Sequence, residues 1–218
     1  MQKFFLWLQT FFAANKATFI RLFQIVYVLL ALTVTLFAYS FSVKNEIFLF
    51  ILNLGNKFGE LALLMLIAVL LPGIFGRFRF RHPLITIGIM FRRYMGILAF
   101  MFGFTHASIE FFVPTILTGG SLIPSDFFEI FGLITLLLLF PLFLTSNDFS
   151  VKRLGKNWKT LHKLVYVIIW VIMLHVAFQL KGTWTLLALL TASAEITSLF
   201  YDWRLKSTVK QGSEVSKI

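Results

Sequence analysis

The stretch WKTLHKLVYVIIWVIMLH, Trp158 to His175, decides the fold. It opens on lysines, carries no charge from Leu164 to Leu174, and contains neither glycine nor proline. A run of that length and hydropathy reads as a helix crossing a membrane. It also holds two of the chain's four histidines, His162 and His175. Ionisable side chains at membrane depth are expensive, so their presence marks a functional site.

The rest of the chain has the same character. Of 218 residues, 59% are hydrophobic and 13% charged, against about 25% charged in a globular protein, and the mean hydropathy is +0.88. The length accommodates six spans of roughly 20 residues with short loops, and leaves no room for a nucleotide-binding domain. Cysteine is absent, which excludes disulfides, thiolate-held iron–sulfur or zinc centres and the thioether attachment of c-type haem. Any metal chemistry rests on histidine, carboxylate or methionine. No phosphate-binding loop, dinucleotide fingerprint or hydrolase triad is present, so the chain has no evident means of oxidising a nicotinamide itself. The net charge of +11 would suit nucleic acid in a soluble protein. In a membrane protein its distribution matters more, and we read membrane lipid, not nucleic acid, as its partner.

The hydropathy pattern predicts an all-α, polytopic membrane protein with spans at Phe19–Tyr39, Phe58–Phe75, Tyr94–Val113, Phe127–Thr145, Leu161–Leu180 and Trp184–Tyr201. Alternate connections divide the basic residues unequally: 17 of 20 fall on one side, and only Lys44, Lys57 and Lys181 on the other. The positive-inside rule then places both termini in the cytoplasm of a cell whose inner membrane the chain crosses. Residues 1–18 form a separate segment, 19–203 the six-span domain and 204–218 a basic cytoplasmic tail. The first segment has features of a leader peptide. Phe4, Trp7, Leu8 and Phe11, however, follow helical spacing, which favours an amphipathic helix lying in the interface.

Spans three and five run in the same direction. His106 lies 14 residues past Arg92, and His175 lies 16 past Lys159. At about 1.5 Å per residue both sit roughly 21–24 Å from the cytoplasmic edge. Imidazoles at matched depth on parallel helices suit axial ligation of a haem, one from each side; hydrogen-bonded packing within the bundle is the competing reading. His162 and His175 are 13 positions apart, which leaves about 220° of rotation in an ideal helix. Both face one core only if the helix is irregular or unwound near His162.

Several strings assemble into a family resemblance: RRYMG (Arg92–Gly96), His106, LTS (Leu144–Ser146), LGKNWKTLHKLVY (Leu154–Tyr166) and His175. From about Gly55 through His175 the chain resembles the ferric reductase-like transmembrane domain, most closely its bacterial branch of haem-binding subunits in methionine sulfoxide reductase systems. LNLGNKFGELALL, leading to Pro72, resembles that family's second span. The resemblance implies b-type haem, one or two, with His106, His162 and His175 as ligand candidates. It further implies electron flow from a cytoplasmic flavin, FMN among them, a flavin reductase or a quinol towards the outer face. The acceptor in that branch is a molybdenum-containing methionine sulfoxide reductase; a ferric reductase would differ in acceptor. Where wider members carry a histidine at the inner position of span three, this chain has Arg92 and Arg93. A guanidinium cannot ligate iron. The pair suits a haem propionate, a flavin phosphate or lipid phosphate, or simply anchors the helix end.

Glu195 within span six is costly unless paired or neutralised, and pairing with a basic residue from the inner rim is preferred over proton relay or quinone contact. Gly55 and Gly59 have the small-xxx-small spacing of helix packing. Trp158 and Trp184 suit interfacial belts, and His82, in a loop, reads as solvated. A transporter or scaffold with structural histidines is the alternative from another class. Transport would favour glycine- or proline-broken helices, which span five lacks.

Overall fold

A computed structural model describes residues 2–215 of the backbone, with side chains described to residue 208. Among them the chain is entirely helical apart from its connections. Helix α1 (Gln2–Ala14) precedes α2 (Lys16–Ser42), α3 (Ile47–Arg77) and α4 (Pro83–Ala107). A π-helical turn, Ser108–Phe112, leads from α4 into α5 (Val113–Thr118). Then come α6 (Phe127–Leu144), α7 (Asp148–Leu154) and α8 (Lys156–Leu161). A 3-10 turn, His162–Leu164, joins α8 to α9 (Val165–Phe178), and α10 (Gly182–Val215) ends the described chain. Six helices or helix runs are long and apolar enough to cross a membrane. The chain is an all-α, multi-pass membrane protein.

Two spans start well before the sequence suggests. Helix α3 begins at Ile47, not Phe58, because Lys57 stays inside the helix by pairing with Glu60 at 2.9 Å. Helix α4 begins at Pro83, not Tyr94, with proline in the first helical turn and His82 as its cap, Nδ1 accepting the Leu84 N–H at 3.3 Å. Arg92 and Arg93 therefore lie within a helix and not at its edge. The basic tail expected over residues 204–218 continues α10 up to Val215, and residues 216–218 lie outside the described residues, as does Met1.

The main core is built by α3, α4, α6, α9 and α10, whose buried Leu, Ile, Val and Ala side chains interlock. Pro72 of α3 seats against Gly88 of α4, where a Cβ would come 2.7 Å from the proline ring. Helix α2 packs outside, on α4 and α3, and exposes Leu22, Ile25, Val28, Leu29 and Leu32 as a lipid-facing stripe. Helix α1 lies across the start of α4: Phe5 meets the His82 ring at 4.7 Å between centres, and Phe12 meets Phe91 at 5.9 Å.

Span five is broken at its start, next to His162. Gly155, at φ 51° and ψ −117°, turns α7 into α8 in a conformation open to glycine. The 3-10 turn then resets the helix between His162 and the start of α9.

Candidate functional site

His106 near the end of α4 and His175 near the end of α9 meet inside the bundle, their ring centres 6.3 Å apart and the planes inclined at 71°. Each ring is held from the same nitrogen. His106 Nδ1 is 3.0 Å from the carbonyl oxygen of Gly55 on α3, and His175 Nδ1 is 2.6 Å from that of Phe128 on α6. A carbonyl only accepts, so each Nδ1 carries the proton and donates it. Each Nε2 is then the nitrogen with the free lone pair, the tautomer in which metal-ligating histidines are fixed by an outer partner. Gln179, one turn beyond His175, brings its amide nitrogen to 3.4 Å from that Nε2.

Both rings lie against glycines. A Cβ on Gly59 would stand 3.2 Å from His106 Cγ, and one on Gly132 would stand 2.9 Å from His175 Cε1 and Nδ1. Helix packing, the expected role of Gly55 and Gly59, is thus half the account. Gly55 contributes a carbonyl and Gly59 the space for a ring. Gly132 carries no signal in the sequence beyond being a glycine in an otherwise large-residue helix.

The two histidines line a cavity of about 600 Å³ walled by Leu63, Leu66, Leu136, Leu139 and Ile172. One end of it is polar, with Asn56, Glu60, Glu110, Glu129, Gln179 and Lys181. This donor set fits a planar metallo-cofactor. A ring nitrogen binds a transition metal at about 2 Å and the ring centre lies about 1 Å behind it, so axial imidazoles on one ion have centres about 6 Å apart. The observed separation matches, the walls are apolar, and the volume lies within the few hundred to 1,000 Å³ typical of ligand pockets.

His162 is placed elsewhere. Its Nε2 lies 3.1 Å from Thr145 Oγ1 and its ring stacks on Trp158 at 4.0 Å between centres. Trp158 in turn donates to the Thr145 carbonyl at 2.9 Å, so it ties down the α6–α8 junction. The sequence-predicted histidines are therefore a pair plus one, not a set of three. His82 caps α4 among Phe5 and Phe80 and lies outside the cavity.

The arginines also part company. Arg93 turns outwards and pairs with Asp148 at the start of α7. Arg92 turns inwards beside Gly73 and Arg77, close enough for its charge to act on His162 and Glu195. Glu195 pairs with Arg77 from the inner rim, as its burial requires. Arg77 also donates to Ser198 Oγ at 2.9 Å and Tyr166 Oη at 3.3 Å.

This bundle is a multi-pass membrane protein with a histidine pair inside it and guanidiniums gathered around Glu195. The ferric reductase like transmembrane component family matches residues 58–174, and the chain belongs to that family. Among curated proteins it is similar to several named protein-methionine-sulfoxide reductase heme-binding subunit MsrQ. That of Agrobacterium fabrum is 38% identical over 98 residues, 43% of this chain and 45% of the relative. That of Rhizobium meliloti is 33% identical over 138 residues, 57% and 62% respectively. That of Brucella anthropi is 37% identical over 118 residues, 53% and 52%. The chain thus spans about half the length of the curated relatives it matches. No solved structure matches it.

Proposed function

We propose that this chain is a b-type haem membrane subunit that carries electrons across the inner membrane, from a cytoplasmic-side flavin or quinol to an acceptor on the outer face. The names of its relatives support a methionine sulfoxide reductase catalytic subunit as that acceptor, and the acceptor we assign is an MsrP-like molybdoenzyme. The observation that carries the reading is the His106–His175 pair. The imidazoles stand 6.3 Å apart, each with Nδ1 on a main-chain carbonyl and its face or edge on a glycine, in an apolar cavity.

Bound haem supplies a one-electron carrier. The chain's residues do the rest. His106 and His175 would hold the haem iron through Nε2, and the Gly55 and Phe128 carbonyls keep both rings in that tautomer and raise their basicity. Leucine and isoleucine walls exclude water. Such exclusion, with ligand identity, sets the redox properties the protein confers. At the inner end His162, fixed by Thr145 and Trp158, and the inward-turned Arg92 form the edge at which electrons enter. Among the described residues no second histidine contacts His162, which favours one haem over two. Arg92 is the residue suited to the phosphate of FMN or of a lipid. Both termini face the cytoplasm, on the strength of the 17-to-3 division of basic residues.

The test is the reduced-minus-oxidised absorption spectrum of the detergent-solubilised protein with haem stoichiometry. We expect a b-type spectrum with one haem per chain, lost in both His106→Ala and His175→Ala and kept in His162→Ala. Folded, colourless protein that takes up no added haemin would refute the reading.

A further inference from the structure

We propose that Lys181 is the cation that receives a carboxylate of the haem edge at the outer mouth of the cavity, held in place for that purpose by Asn56; this rests on the haem reading above. A protohaem presents an apolar disc with two carboxylates on one edge. Carboxylates are not left unpaired in an apolar wall, so that edge must point to cations or to water. Polar residues of the cavity lining, Asn56, Glu60, Glu110, Glu129, Gln179 and Lys181, gather at one end of the helices. Arg77 and Arg92, the inner guanidiniums, do not line it.

Of the outer side's few basic residues, Lys181 alone lines the cavity. Its Nζ donates to Asn56 Oδ1 at 2.8 Å, a neutral acceptor that occupies one of three N–H groups. Among the described residues no carboxylate oxygen lies within 4 Å of it, although three carboxylates share the mouth. Two of those are engaged otherwise, and the third, Glu110, makes no ion pair among the described residues. Glu60 pairs with Lys57 at 2.9 Å, Glu129 accepts from the Ser125 N–H at 3.3 Å, and Glu110 lies over Gly55. Lys181 also immediately precedes α10, where a cation opposes the helix dipole, so helix stability does not explain the choice of lysine. Its backbone is fixed by the left-handed Leu180 (φ 57°) and by the Gly182 N–H, which donates to the Leu180 carbonyl at 3.1 Å.

The experiment uses full-length, haem-depleted protein titrated with haemin and with haemin dimethyl ester, whose carboxylates are masked. The readouts are the Soret absorbance and the midpoint potential, for wild type, Lys181→Ala and Lys181→Arg. We expect wild type to prefer haemin to the ester by about tenfold to a hundredfold, the range of a hydrogen bond between charged groups. Lys181→Ala should lose that preference without weakening ester binding, and Lys181→Arg should retain it. Equal binding of haemin and ester by wild type overturns the proposal, as does a Lys181→Ala defect of the same size for both, while the bis-histidine spectrum leaves the haem reading standing. A wild type that binds neither form overturns that reading as well.

Discussion

Replacing Glu195 by glutamine isolates what the buried charge contributes. The Glu195 side chain is 1% exposed and its partner Arg77 15%. The amide keeps an oxygen for the Arg77 guanidinium but removes the negative charge. Arg77 and the neighbouring Arg92 then share a low-dielectric environment with no carboxylate beside them. Removing one member of a buried pair typically costs about 3–5 kcal/mol. Arg77 keeps its bonds to Ser198 and Tyr166, so the lower end, about 3 kcal/mol, applies. For a chain of this size each kcal/mol moves the melting temperature by about 2–4 °C, so a fall of about 6–12 °C is expected. Fluorescence of the five tryptophans reports it in detergent, at one fixed scan rate because unfolding of such bundles is under kinetic control. The companion variant, Arg77→Met with Glu195→Leu, removes both charges and should recover most of the loss, since apolar replacement of a whole pair is close to neutral. A drop under about 2 °C for the single variant, or a double variant less stable than the single, would show that the pair does not compensate charge as argued.

Gly132→Ala places a methyl 2.9 Å from the His175 ring and should abolish the bis-histidine spectrum, whereas Gly76→Ala, with nothing within 4 Å, should leave haem content at wild-type level. Tyr27 donates to the Tyr94 carbonyl at 2.9 Å; Tyr27→Phe should cost about 1 kcal/mol, read as a small fall in melting temperature with an unchanged spectrum. Asp148, in the connection after α6, has its carboxyl held below the usual aspartate range by the hydrogen bond from Arg93 and then by the charge of that guanidinium. A folded-state value below the unfolded one stabilises fully above about pH 4 and is lost as pH falls through the folded value. Asp148→Asn should therefore lower stability slightly in the neutral region, where the contribution is complete, and flatten the acid limb below about pH 4; a profile superimposable on wild type would show the pair to be inert.

Six spans and the depth of the histidines were legible because hydropathy and basic-residue placement are strong, additive signals. The unwound turn at His162 was only a conditional expectation, because a 13-residue spacing calls for it only if both histidines face one core, and His162 packs on Thr145 and Trp158 instead. The early starts of α3 and α4 were not legible. Lys57, Arg92 and Arg93 mark edges by their charge, yet a helix retains such residues where an i,i+3 carboxylate or a neighbouring helix receives them. The fates of Arg92 and Arg93 also could not be separated, because adjacent residues on a helix diverge by about 100° and only packing decides which turns inwards. Gly132, Gln179 and Lys181 stayed silent for a similar reason. Each matters through what it stands beside, and nothing in its own identity announces that neighbour.

The acceptors that orient both imidazoles belong to the main chain, the carbonyls of Gly55 and Phe128. Every amino acid supplies a carbonyl. Position 128 can therefore drift through evolution to any side chain the helix tolerates without disturbing the ring it steadies, whereas a carbon added at Gly132 forces the His175 ring to move and one at Gly59 crowds the His106 ring. A survey of sequence variation would rank the glycines as essential and pass over Phe128, although its backbone does equal service. The orientation of the pair is inherited with the shape of the bundle.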